Sequence, residues 1–220
     1  MTHDPYLHLD NLIARYPILT IAKDSIARAY ETLADCFAAG GKLLIAGNGG
    51  SAADAEHIVG ELMKSFCLPR PMSAAFREAA ESVDPEMGRV LGEGLQQGLP
   101  AIALSAHTAL GTAWMNDCDP ALVFAQQVAG YGRPGDVLLG ITTSGNSLNI
   151  RYAAVAARAA GLKVLSLTGA PGGKIAALSD VCIHVPATET FKVQELHLPV
   201  YHCLCLMLEE RFFGQDEIQD

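Results

Sequence analysis

Apolar residues follow two rhythms along this chain. In SIARAYETLADCFAAG (residues 25–40) they recur at helical spacing and stop at two glycines, which predicts a long helix with a glycine terminator. KLLIAG (residues 42–47) is instead a short unbroken apolar run closed by glycine, the pattern of a strand buried on both faces. PAIALS (100–105), DVLLGI (136–141), KVLSLT (163–168) and VCIHVP (181–186) repeat that pattern. Each precedes a loop and then a stretch of helical spacing. Five such runs separated by helices predict an α/β fold: a doubly wound, five-stranded parallel sheet flanked by helices, with right-handed crossovers.

One segment breaks the rhythm. CLPRPMSAAFREAAESVDPEMGRVLGEGLQQ (67–97) carries helical stretches but no strand-like run, so it reads as a helical insertion outside the sheet. It serves either as a lid or as a packing or subunit-contact excursion. A helical segment over 1–40 precedes the sheet, and the whole chain, 1–220, reads as a single domain, long enough to enclose one core.

Composition narrows the function. Twenty-one glycines beside only 6% aromatic residues suit many tight strand-to-helix turns. A net charge of −9, without clustered Lys and Arg, argues against nucleic acid as a partner. Any anionic ligand must then be held by backbone amides and helix N-termini. The opening residues lack a basic, apolar leader, and no run reaches the length of a membrane span, so a cytoplasmic protein without membrane contact is expected. Six scattered cysteines lack CxxC spacing and read as reduced, mostly buried thiols.

Two loops carry candidate anion chemistry. GNGGSA (47–52) follows the first strand and opens a helix, offering Asn48, Gly49, Gly50 and Ser51 to an anion or, equally, a turn that serves packing alone. TTSGNS (142–147) repeats the device with the hydroxyls of Thr142, Thr143, Ser144 and Ser147. Surface turns also collect such residues, but the C-terminal edge of the strands is where open α/β sheets bind ligands.

Titratable residues cluster on two predicted helices. His57 and Glu61 stand four apart, so they share a face and could bind one metal, work as an acid/base unit, or simply make a surface contact. Gln194 and His202 are eight apart, about 80° around an ideal helix, which points them to roughly the same side. Pro199 lies between them and would normally kink that helix. Read by itself, His202 is a polar gap in an apolar helix, as a satisfied core histidine would be.

GNGGSAADAEH, TTSGNS and VQELHLPVYH, in this order and spacing, resemble the SIS-domain phosphosugar isomerases, and among them the heptose 7-phosphate isomerases. The similarity runs from about residue 34 to 213, apart from the insertion. It implies a flavodoxin-like three-layer sandwich, commonly assembled as a homotetramer, acting on a small-molecule sugar phosphate. It implies that His57, Glu61, Gln194 and His202 surround the reacting carbons and can hold zinc. Glu61 is then the base moving a proton between C1 and C2, His202 its acid/base partner, and Asp117 a substrate neighbour unless it merely caps a helix. Phe191 stands where heptose isomerases carry an aspartate, leaving Glu189 or Thr190 as stand-ins. The rival reading is a SIS module that binds phosphosugar or a protein partner without catalysis. A nucleotide-binding protein is disfavoured, because no GxxxxGK[ST] occurs.

Overall fold

The computed structural model describes residues 3–214. From the N-terminal side, α1 (Tyr6–Arg15) leads through a 3-10 segment (Pro17–Ala22) into α2 (Lys23–Ala38), then β1 (Leu43–Gly47) and α3 (Gly50–Met63). The insertion supplies α4 (Ala74–Val83) and α5 (Pro85–Gly94). Next come β2 (Ala101–Ala103), α6 (Thr108–Asp117), α7 (Val123–Tyr131), β3 (Val137–Ile141) and α8 (Leu148–Ala159). The chain finishes with β4 (Lys163–Thr168), β5 (Val181–His184) and α9 (Thr190–Phe213). Residues 1–2 and 215–220 of the expected domain lie outside the described residues.

The five strands pair in parallel in the order β2-β1-β3-β4-β5. Strand alternation splits the apolar runs between two layers. Leu43 and Ile45 of β1 face a core shared with α1, α2, α3 and α9, whereas Leu44 and Ala46 face one built with α7 and α8. Burial on both sides is why β1 and β3 contain no polar residue, and each fully buried Leu or Ile there contributes about 1.5–3 kcal/mol. At the edge, β2 is only three residues long and passes into a 3-10 turn (Leu104–Ala106), shorter than the run at 100–105 suggests. It pairs with β1 alone, so half of its backbone lacks a sheet partner.

The order reverses between β1 and β3, since the chain leaves β1 toward β2 on one side and returns to β3 on the other. The loops after these two strands therefore diverge and leave a crevice at their C-terminal ends. Both glycine- and hydroxyl-rich motifs sit there.

In the insertion, α4 is capped by Ser73, whose hydroxyl accepts from the Phe76 amide at 3.2 Å. α5 is capped by the Asp84 carboxylate and opens on Pro85. The two helices pack on each other, with Gly88 against the Ala80 backbone. Among the described residues all six cysteines are free; Cys36, Cys203 and Cys205 are buried, while Cys67 and Cys118 are exposed, contrary to the expectation that most are inside.

Pro199 does not end α9, which runs unbroken from Thr190 to Phe213. Its apolar surface goes largely into this chain's own core, against α1, α2 and α3.

Candidate active site

The crevice forms a cleft of about 320 Å³ lined by Asn48, Gly49, Gly50 and Ser51 on one side, Thr142, Thr143 and Ser147 on the other, and Thr190 and Gln194 of α9. Three helices begin at it: α3 after Gly49, α8 after Ser147 and α9 at Thr190. Their dipoles and first-turn amides favour an anion, and among the described residues no charged side chain lines the cleft. Gly49 has φ 55°, a left-handed turn that lets β1 double back into α3. Gly145 has φ 68° and packs so closely on the Gly172 carbonyl that a Cβ would lie 2.0 Å from it, which locks the second loop. Thr142 Oγ1 and Ser147 Oγ bond at 3.0 Å.

Two expected site residues do not line this cleft. Ser144 turns its hydroxyl to the Asn146 amide at 3.2 Å and is not among the lining residues. Asp117, the last residue of α6, is exposed and accepts from the Asn116 side chain at 2.8 Å, with no part in lining the cleft. Of the stand-ins near the exposed Phe191, Thr190 lines the cleft, whereas Glu189 pairs with Lys192.

Farther along α3 and α9 lies the titratable row. His57 Nε2 is 3.2 Å from Glu61 Oε1 and 3.4 Å from His202 Nε2, so the residues four apart do share a face and meet the second helix. Lys64 Nζ approaches Glu61 Oε2 at 3.3 Å. The His202 pKa is pushed below the usual imidazole value by burial, with the neighbouring His57 adding to the effect. His202 also lines a cavity of about 450 Å³ against α1, with Arg15 and Asn11 among its walls.

Gln194 stands apart from that row. Its side chain covers Gly50, and a Cβ on Gly50 would sit 2.4 Å from Nε2. Among the described residues no three His, Cys, Asp or Glu side chains are grouped so as to hold a metal ion.

Sequence reading missed two partners. The Tyr201 hydroxyl lies 3.0 Å from His57 Nδ1 and 3.3 Å from Asp54 Oδ1. Burial raises the pKa of both Tyr201 and Asp54, and their mutual hydrogen bond pulls that of Asp54 back down. Only the helical spacing of Asp54, His57 and Glu61, which places all three on one stripe of α3, hinted at this.

Comparison with known proteins identifies the family. SIS domain family models match residues 15–82 and 92–207. A phosphoheptose isomerase of Geotalea daltonii is 41% identical over 190 residues, covering 86% of this chain and 85% of the relative. Among solved structures, the phosphoheptose isomerase GmhA of Neisseria gonorrhoeae superposes with a TM-score of 0.71 at 35% identity, over 92% of this chain and 95% of the other. A phosphoheptose isomerase from Francisella tularensis gives 0.72 at 32% identity, over 89% and 90%.

Proposed function

Since the chain belongs to the SIS domain family and is a sugar-phosphate isomerase of the aldose–ketose type, we propose that it interconverts sedoheptulose 7-phosphate and a manno-heptose 7-phosphate through an enediol. The observation that carries this reading is one pair of helices serving both ends of such a molecule. α3 and α9 begin at the anion cleft and, farther along, bring Glu61, His57 and His202 together.

In this reading the phosphate lies at the three helix N-termini. Glu61 takes the proton from C1, while His202 gives one to O2, leaving the enediol. The reverse transfers place the Glu61 proton on C2 and return the O1 proton to His202, so nothing is gained or lost overall. Wild type and Glu61→Gln incubated with a panel of aldose and ketose phosphates test this. Conversion of the heptulose phosphate that falls at least about a hundredfold in the variant, with phosphosugar binding retained, is expected. Binding without conversion by wild type favours the non-catalytic reading.

Zinc, implied by the resemblance, would be held by His57, Glu61, Gln194 and His202 and would act as a Lewis acid on the sugar oxygens. The donor types suit it. Gln194 faces Gly50, however, and no ready three-ligand group exists among the described residues, so the steps above use side chains alone. Metal analysis of the purified chain, expected to return one zinc that His202→Ala loses, checks the proposal.

A homotetramer fits the exposed apolar side chains of the N-terminal segment, Leu7, Ile18 and Ile21. Light scattering is then expected at four times the 23.2 kDa chain mass. No helix among the described residues is long and apolar enough to cross a membrane, in keeping with the cytoplasmic setting we propose.

A further inference from the structure

We infer that Asn149 is a positioning residue for the anion cleft: through a paired amide contact with Asn48 it clips the glycine loop onto the start of α8 and so sets the distance between the two walls. Its effect on turnover rests on the reading above, in which the cleft receives the phosphate of the sugar.

The two walls differ in how firmly they are held. After β3, Gly145 is wedged against the Gly172 carbonyl, Thr142 bonds Ser147, and the Lys174 amide donates to Asn146 Oδ1 at 3.1 Å. After β1, the loop turns through Gly49 at φ 55°, where a Cβ would meet nothing within 4 Å. A glycine in open space brings no packing of its own and leaves the backbone free to move. Among the described residues, the only side-chain hydrogen bonds that reach Asn48, Gly49 or Gly50 are the two with Asn149. The looser wall is thereby fastened to the firmer one.

Donor counting fixes the orientation of the pair. Asn149 Oδ1 accepts from the Ile150 backbone amide at 3.0 Å, a donor that cannot be reversed, so its carboxamide cannot be turned over. Asn149 Nδ2 then donates to Asn48 Oδ1 at 2.9 Å, and Asn48 Nδ2 returns a bond to Asn149 Oδ1 at 3.0 Å. Both lone pairs of Asn149 Oδ1 are used. Asn48 keeps one N–H and one carbonyl lone pair for a ligand. It lines the cleft, whereas Asn149 does not, so Asn149 acts through Asn48.

Stability gives the pair little reason to exist. Asn48 is exposed and Asn149 half-buried, 101 residues apart. α8 is anchored by the buried Ile150, Ala153, Ala154 and Ala157, and β1 by its five buried residues. Asparagine is also a poorer helix former than alanine. A pair kept only for the fold could lose its α8 member to alanine without effect on the anion.

The test is a titration of inorganic phosphate into the full chain, followed by NMR at the backbone amides of Gly49, Gly50 and Ser51. It compares wild type, Asn149→Ala, Asn48→Ala and the double variant. Asn149→Ala should weaken phosphate binding about tenfold, the scale for losing two ordinary hydrogen bonds, with the melting temperature within about 2 °C of wild type. In the Asn48→Ala background the same change should cost less than about twofold more. The KM for the sugar phosphate should rise with the phosphate Kd, while kcat stays within about threefold. Phosphate affinity unchanged in Asn149→Ala, or losses that multiply in the double variant, overturns the proposal, as does a wild type whose loop amides do not respond to phosphate. Should Asn149→Ala not fold, Asn149→Ser, too short to reach Asn48, carries the same comparison. The binding readout needs no turnover. A chain that shows this pattern with phosphate yet converts no heptulose phosphate keeps the clip and loses the proposed function.

Discussion

Gln194 lies across Gly50 so closely that a single added carbon on the glycine would meet its amide nitrogen at 2.4 Å. One residue opens α3 and the other belongs to the first turns of α9, so this contact joins the two helices at the anion cleft. The atom in the way is the far end of a flexible side chain, which can swing aside at small cost to the fold. Gly50→Ala should therefore change stability by less than about 1 kcal/mol while displacing Gln194 from the cleft. A thermal melt close to wild type, together with a KM for the sugar phosphate raised at least about tenfold, is the expected result.

Gly145 makes the opposite case. Its positive φ and the Gly172 carbonyl, 2.0 Å from where a Cβ would be, are both backbone constraints that no side-chain rotation relieves. Gly145→Ala should cost about 2 kcal/mol or more. Denaturant titration, with the midpoint lowered and the slope unchanged, checks it.

The root of the insertion is tied to the active site by a buried ion pair. Glu209 accepts from the amides of Phe66 and Cys67 at 2.8 and 2.7 Å and from Arg70 Nε at 2.9 Å. Arg70 in turn caps α3 by donating to the carbonyls of Leu62 and Glu61, at 2.7 and 3.1 Å, and lies over the Phe213 ring. Removing one partner leaves the other charge buried and unpaired, so Glu209→Ala should lose about 3–5 kcal/mol, or roughly 6–20 °C in melting temperature for a chain of this size. A shift below about 2 °C would show that the pair carries little of the fold.

His197 makes stability depend on pH. It is fully buried in α9, and burial lowers its pKa to about 4, partly opposed by a hydrogen bond with the Thr168 backbone. The unfolded chain, with an imidazole near 6.5, binds the proton more readily than the native one. Its contribution is therefore full above about pH 6.5 and is lost as pH falls toward 4, up to about 3 kcal/mol. Unfolding midpoints measured at pH 7 and pH 5 should differ in that direction for wild type and by less in His197→Gln.

The sheet could be read from the chain because β1 and β3 are buried on both faces and are wholly apolar. That Asn48, Gly49, Gly50, Ser51, Thr142, Thr143 and Ser147 line one cleft followed from their place directly after those two strands. Ser144 and Asp117 did not, because both satisfy their polar atoms on immediate neighbours, a local choice that composition does not reveal. Tyr201 escaped notice for the converse reason: in an apolar helix a tyrosine reads as core, and its partners His57 and Asp54 are 144 and 147 residues away. Pro199 warned of a break in α9 that the surrounding packing overrides.

Hydrogen exchange at the sugar's own carbons reports the proposed proton transfer most directly. Wild type incubated with sedoheptulose 7-phosphate in heavy water and followed by proton and carbon NMR should form the aldose while taking up deuterium at C1 or C2, and Glu61→Gln should slow both by at least about a hundredfold. Product formed with no solvent deuterium at either carbon in any turnover, or exchange that proceeds equally fast without the Glu61 carboxylate, would contradict a proton carried between the carbons by that side chain.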